Sequence, residues 1–99
     1  MKLAGFLILL VASFVARAES ELYPEEVKAF IAERDTCDHF RGEPIEGKSP
    51  EQIERRNFVA DSLDIYCSGT DRRLAALKRR YKDNRPVMKQ LNQYEEHIE

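Results

Sequence analysis

Hydrophobic and polar positions divide this chain into two unlike parts. Leu3 to Val15 is one apolar run, and beyond it apolar residues recur singly at helical spacing, with no sustained alternation of the kind a strand needs. Val27, Phe30 and Ile31, with Ala29 and Ala32 filling in, predict a first helix over about residues 24–36 that carries Cys37 near its end. Pro24 sits at its first turn, and Glu25 and Glu26 follow where the helix dipole favours negative charge. From Arg41 to Ser49 the breakers Gly42, Pro44 and Gly47, with Pro50 just beyond, predict a loop.

Ser49-Pro50-Glu51-Gln52 then restarts a helix: serine at the N-cap, proline at the first position, glutamine three residues after the cap. Ile53, Ala60, Leu63 and Cys67 fall on one stripe with Val59 and Tyr66 beside it, which predicts a second helix to about Cys67. Ser68-Gly69 stops it, the glycine supplying a left-handed residue. Thr70 or Asp71 is expected to cap a third helix with Leu74, Leu77 and Tyr81 inward, leaving Arg72, Arg73, Arg79, Arg80 and Lys82 on other faces. Asn84 to Pro86 interrupts, and Pro86 opens a fourth helix whose face is Val87, Leu91, Tyr94 and Ile98, helped by Met88. The predicted fold is all-α, a small bundle of three to four short helices in which the third and fourth form an antiparallel hairpin.

The leading run changes the setting of everything after it. Lys2, the apolar stretch, and the small residues of Ala16-Arg17-Ala18 make up the three-part layout of a secretory signal peptide over residues 1–18, with Glu19 as the expected mature start. The run is shorter than the roughly 20 apolar residues a bilayer crossing needs. No stable membrane insertion is expected after cleavage, and the expected location is the periplasm or the exterior. Residues 19–99 then form a single helical domain. Loss of Lys2 and Arg17 with the leader takes the net charge from −2 to −4, a mildly acidic balance that argues against a general nucleic-acid binder. Charge is unevenly spread: acids dominate from Glu19 to Glu54, whereas Arg72 to Lys89 is rich in Arg and Lys.

Cys37 and Cys67 are the only cysteines. In an oxidising compartment they predict one disulfide, tying the end of the first helix to the end of the second. Closing a loop of about 30 residues stabilises by roughly 3–4 kcal/mol in the chain-entropy model, a large share of the total for a domain this small. A structural zinc site would need four ligands, and His39 is the one histidine nearby. A redox pair would favour Cys-x-x-Cys, which is absent.

Three groups of residues bear on function. Around the cysteines, Asp38, His39, Phe40, Arg41 and Glu43 face Ser68, Thr70 and Asp71 across the predicted bridge. His39 beside Asp38 or Asp71 has the makings of a general base or a metal ligand, and Arg41 of a carboxylate or phosphate clamp. A chain this short has little material for a pocket of about 300 Å³ or more, so catalysis is not expected and no cofactor is called for. The basic third helix, from Arg72 through Arg79 toward Lys89, offers a face for an acidic partner or an anionic envelope polymer. Phe58, following Arg55-Arg56-Asn57 off the main stripe, is expected to pack on a neighbouring helix, with an exposed partner anchor as the alternative.

The runs Cys37-Asp38-His39-Phe40-Arg41-Gly42-Glu43, Cys67-Ser68-Gly69-Thr70-Asp71 and Leu77-Lys78-Arg79-Arg80-Tyr81 resemble a family of small exported proteobacterial proteins with a signal peptide and two cysteines. No activity attaches to that family, so the resemblance implies compartment and fold and carries no site residues. Leu74, Leu77 and Tyr81 are also similar to the Leu-x-x-Leu-x-x-x-Tyr helix of lysozyme-inhibitor-like domains, which are exported, helical and cysteine-stapled but carry more than one cysteine pair. The expected role is a non-catalytic binding or inhibitor-like module of the cell envelope. Its partner is another envelope protein, and its surface centres on the cysteine-adjacent loop (His39, Arg41, Glu43), then on Asp71, Arg72 and Arg79.

Overall fold

The computed structural model describes residues 22–99, so the predicted leader and mature start at Glu19 lie outside the described residues. Four helices follow in order: α1 (Glu25–Arg41), α2 (Pro50–Cys67), α3 (Thr70–Arg80) and α4 (Arg85–Leu91). Among the described residues there is no strand. The domain is an all-helical bundle with one disulfide, Cys37–Cys67, whose Cα atoms lie 5.1 Å apart.

α1 continues five residues past its predicted end at residue 36, to Arg41. Nothing in Asp38-His39-Phe40-Arg41 breaks a helix, and His39 and Arg41 place basic character in the last turn, where the dipole favours it. His39 and Arg41, expected in a loop, are therefore helical, and the loop begins at Gly42. The buried positions of α1 are Val27, Phe30, Arg34 and Cys37, a 3-4-3 spacing that leaves Ala29 and Ala32 exposed.

α2 starts as its sequence dictates. The Ser49 Oγ accepts from the Gln52 amide at 3.2 Å, and the Gln52 Oε1 accepts from the Ser49 amide at 3.1 Å, a complete capping box. Its inward face differs from the expected stripe. Val59 and Ser62 are buried, whereas Ile53 and Ala60 are exposed. The reason is that α2 docks on α1 only through its C-terminal half, where Cys67 is bonded to Cys37 and Tyr66 stacks on Phe40 with ring centroids 6.2 Å apart. Every residue from Pro50 to Phe58 is exposed. Phe58 meets the Phe40 ring of the neighbouring α1 in a T-shaped contact at 5.7 Å, as expected, yet stays half exposed rather than buried in the core.

Gly69 takes the left-handed conformation (φ 78°) that separates α2 from α3. Neither Thr70 nor Asp71 caps α3. The Glu99 carboxylate does so instead, accepting from the Gly69 amide at 3.0 Å and the Asp71 amide at 2.9 Å. α4 starts at a capping Asn84, whose side chain accepts from the Val87 amide. It ends at Leu91, so Tyr94 and Ile98 lie beyond it rather than on its face. Tight turns through Gln93 and Tyr94 redirect the chain, and Arg34 and Asp71 supply the hydrogen bonds that a longer helix would have made for itself. Residues 95–99 form a strap along α3.

α3 and α4 pack on α1. Val27, Phe30, Leu74, Leu77, Val87 and Leu91 form one buried cluster, with Tyr94 edge-on to Phe30 at 5.6 Å. Arg34 lies at the edge of this cluster with 1% of its surface exposed. Its guanidinium donates to the Asp38 carboxylate (3.1 Å), the Thr70 hydroxyl (3.2 Å) and the Glu95 carbonyl (2.8 Å), and its carbon sits 5.4 Å from the Tyr94 ring centre. One side chain thus joins α1, the start of α3 and the strap.

Two outcomes are expected from this architecture. Cys67→Ser opens a loop with a sequence separation of 30 and should lower the melting midpoint by about 10 °C or more, read by circular dichroism. Arg34→Met removes three hydrogen bonds while keeping an apolar stem, and should cost about 2–4 kcal/mol in denaturant unfolding because the buried Thr70 hydroxyl loses its partner. A cost below about 0.5 kcal/mol would show that Arg34 does not hold these elements together.

Candidate functional site

The residues expected to form a binding surface fall into two groups. At the end of α1, Arg41 donates to Asp38 at 2.9 Å and lies 3.5 Å from Glu95, and the Asp38 hydrogen bond raises its pKa above the ordinary arginine value. Glu43 accepts two bonds from Arg55, at 2.7 and 2.9 Å, which hold its carboxyl below the usual range. Both groups are engaged within the molecule. His39 is exposed with its ring edge-on to Phe40, at 5.2 Å between centroids. The structure sets His39 in the electrostatic reach of Glu43, while the histidine acting on Asp71 is His97. Among the described residues no group of three or more His, Cys, Asp or Glu side chains is placed to hold a metal ion.

The second group gathers on α3. Asp71, Arg72 and Arg79 line one cleft of about 490 Å³ between α3 and the strap, with Leu74 and Ala75 at its floor and His97 at its rim. That volume lies within the range of about 300–1,000 Å³ typical of ligand sites, more than the length of the chain led one to expect. Its charged groups differ in availability. Lys78 donates to Glu96 at 2.9 Å and thereby holds the Glu96 carboxyl below its usual range. Asp71 accepts from the Ile98 amide (3.0 and 3.1 Å) and the Glu99 amide (3.1 Å). Arg72 and Arg79 are exposed and pair with no carboxylate among the described residues.

The other basic side chains of α3 are directed to α1. Arg73 bonds Glu33 and covers the Phe30 ring at 5.5 Å from its centre. Arg80 and the Tyr81 hydroxyl both bond Glu26, and together they keep that carboxyl ionised below its ordinary range, the tyrosine contributing most. Charges that the sequence places on one basic helix thus separate into an inner edge that ties α3 to α1 and an outer face with free cations. What the outer face can do is recognise carboxylates carried on an apolar body, since two guanidinium groups flank a floor of leucine and alanine.

Sequence reasoning passed over Arg34 and the strap. Arg34 had a legible signal, because it occupies the apolar stripe between Phe30 and Cys37 at helical spacing. The strap had none, since its pairing with Asp71 spans 28 residues of sequence. Tyr94, taken as a helix-face residue, donates to Asp35 at 2.8 Å, and burial together with that bond pushes its pKa up to about 12.

The strap makes one region pH-sensitive. The Ile98 and Glu99 amides hold the Asp71 carboxyl below its ordinary value of 3.8. A depressed folded pKa gives a contribution that is present above the ordinary value and lost as pH falls through the folded one. The strap should therefore stay docked at neutral pH and loosen only once pH falls below the ordinary value of 3.8, seen as loss of hydrogen-exchange protection at the Ile98 amide. Asp71→Asn should show weakened protection already at neutral pH, and unaltered protection in that variant would show that the carboxylate does not hold the strap.

No family model, curated protein or solved structure matches the chain.

Proposed function

We propose that this protein is an exported, non-catalytic binding module whose α3 face receives an acidic, apolar-anchored segment of another envelope protein. One observation carries the proposal: Arg72 and Arg79 flank an apolar-floored cleft with no internal partner among the described residues, while Arg41, Glu43, Arg73 and Arg80 are all engaged in ion pairs. The leader pattern and the disulfide support export. Among the described residues no helix is long and apolar enough to cross a membrane. A coat on anionic polymer is less well supported, because Arg73, Lys78 and Arg80 are already neutralised within the fold.

The test is quantitative capture from periplasmic extract on oxidised Glu19–Glu99, beside Arg72→Ala/Arg79→Ala and His39→Ala baits. The double variant should hold a specific partner about tenfold or more less tightly, with the His39 variant unchanged. Binding should fall only modestly between low and physiological salt, because a packed contact shields its ion pairs; a steep fall would favour the polymer reading. Retention of the partner on the double variant would remove α3 as the surface.

A further inference from the structure

The outer flank of α2 carries two exposed large apolar side chains, Phe58 and Ile65, that the binding site leaves unused. Glu51, Glu54, Phe58, Asp61 and Ile65 recur at 3-4-3-4 spacing and so line one face of the helix. Phe58 is 50% exposed and Ile65 69% exposed. None of the three acids on this flank pairs with a cation among the described residues. Arg55 lies over the Phe58 ring, 4.9 Å from its centre, and its own charge is held by Glu43.

We propose that this flank docks head-to-tail on the α3 face of a second copy of the chain, Phe58 entering the cleft between Arg72 and Arg79. The inference rests on the reading of α3 as a receptor face for an acidic, apolar-anchored segment: the chain's own α2 flank has that chemistry, so a second copy competes with the envelope protein for one face. Charge and spacing both favour the match. Glu54 and Asp61 are seven residues apart, as are Arg72 and Arg79, so each pair is separated by about 10.5 Å along its helix. Midway between the acids stands a half-exposed aromatic ring; midway between the arginines stand Ala75 and Ala76, both exposed and small enough to admit it. A large residue over small ones, flanked by two opposite-charge pairs, satisfies packing and electrostatics together.

The alternative self-contact is excluded by the same charges. Two α2 flanks facing each other bring acid against acid in either orientation, which repels. Each copy therefore offers two different faces, and the contact either propagates head-to-tail into a ring or an open chain or, where both faces of two copies meet at once, closes reciprocally as a two-fold dimer. A two-turn helix contact is small, so association is expected to be weak and concentration-dependent.

The experiment follows from having two distinct faces. Wild-type protein is followed by sedimentation velocity up to the millimolar range, beside Phe58→Asp and Arg72→Glu/Arg79→Glu, each checked for helicity. Wild type should form a dimer or a series of oligomers, and each variant alone should remain a monomer. Mixed, the two variants should form a 1:1 dimer and nothing larger, because each supplies the face the other lacks. A chain carrying Glu54→Arg, Asp61→Arg, Arg72→Glu and Arg79→Glu together should recover oligomers, which keeps the test independent of any one variant. A wild type that stays monomeric, or a mixture that does not pair while wild type associates, overturns the proposal. A wild type that self-associates but captures no envelope partner would sink the proposed function alone; a wild type that captures a partner through Arg72 and Arg79 but stays monomeric would sink only this inference.

Discussion

A single buried guanidinium ties α1, α3 and the strap to one another. Taking a full charge out of water costs several kcal/mol after relaxation, and Arg34 is withdrawn almost completely. That cost is offset only because each of its three nitrogens meets an acceptor from a different part of the chain: Asp38 four residues on, Thr70 at the start of α3, and the backbone of Glu95 in the strap. Remove any of these elements from position and the guanidinium is left unsatisfied. The penalty for partial assembly is therefore steep, which makes the arrangement specific as well as stable.

Around this centre, α1 serves as a shared wall with two unlike attachments. On one side α3 and α4 bury an apolar cluster and add ion pairs from Arg73 and Arg80. On the other, α2 is held by a covalent bond and by two rings against Phe40, Tyr66 stacked and Phe58 T-shaped. The difference decides exposure. The packed side leaves no large apolar side chain exposed on α3 or α4, and the stapled side can leave the first half of α2 largely free, with a capping box supplying its local stability. Both faces that bear on binding are products of this asymmetry.

How much of this was written in the sequence depends on how local its cause is. The start of α2 was legible in Ser49 and Gln52, and the break before α3 in Gly69, because each acts through its own neighbours. The end of α1 was not, since Asp38 to Arg41 contain no breaker and the helix runs on until Gly42. The stripe of α2 was misplaced because periodicity assumes a helix packed along its length, whereas only the half near Cys67 touches α1. α4 was overextended for the opposite reason: Tyr94 and Ile98 keep helical spacing but bond to Asp35 and Asp71 instead. Of the site, Arg72 and Arg79 were visible as a basic face, and their freedom from partners became visible only once Arg73 and Arg80 were seen turned toward α1.

The return of the strap to Gly69 has a topological consequence. Cys37 to Cys67 encloses a loop with a separation of 30, and Gly69 to Glu99 encloses the next with the same separation. The chain is thus two consecutive rings of equal span that meet at Ser68 and carry the same loop-closure entropy. One ring is closed by a covalent bond and ignores protons; the other is closed by carboxylates and ignores reductant. Electron supply therefore acts on the first closure, and acidity, through Asp71, on the strap that makes the second.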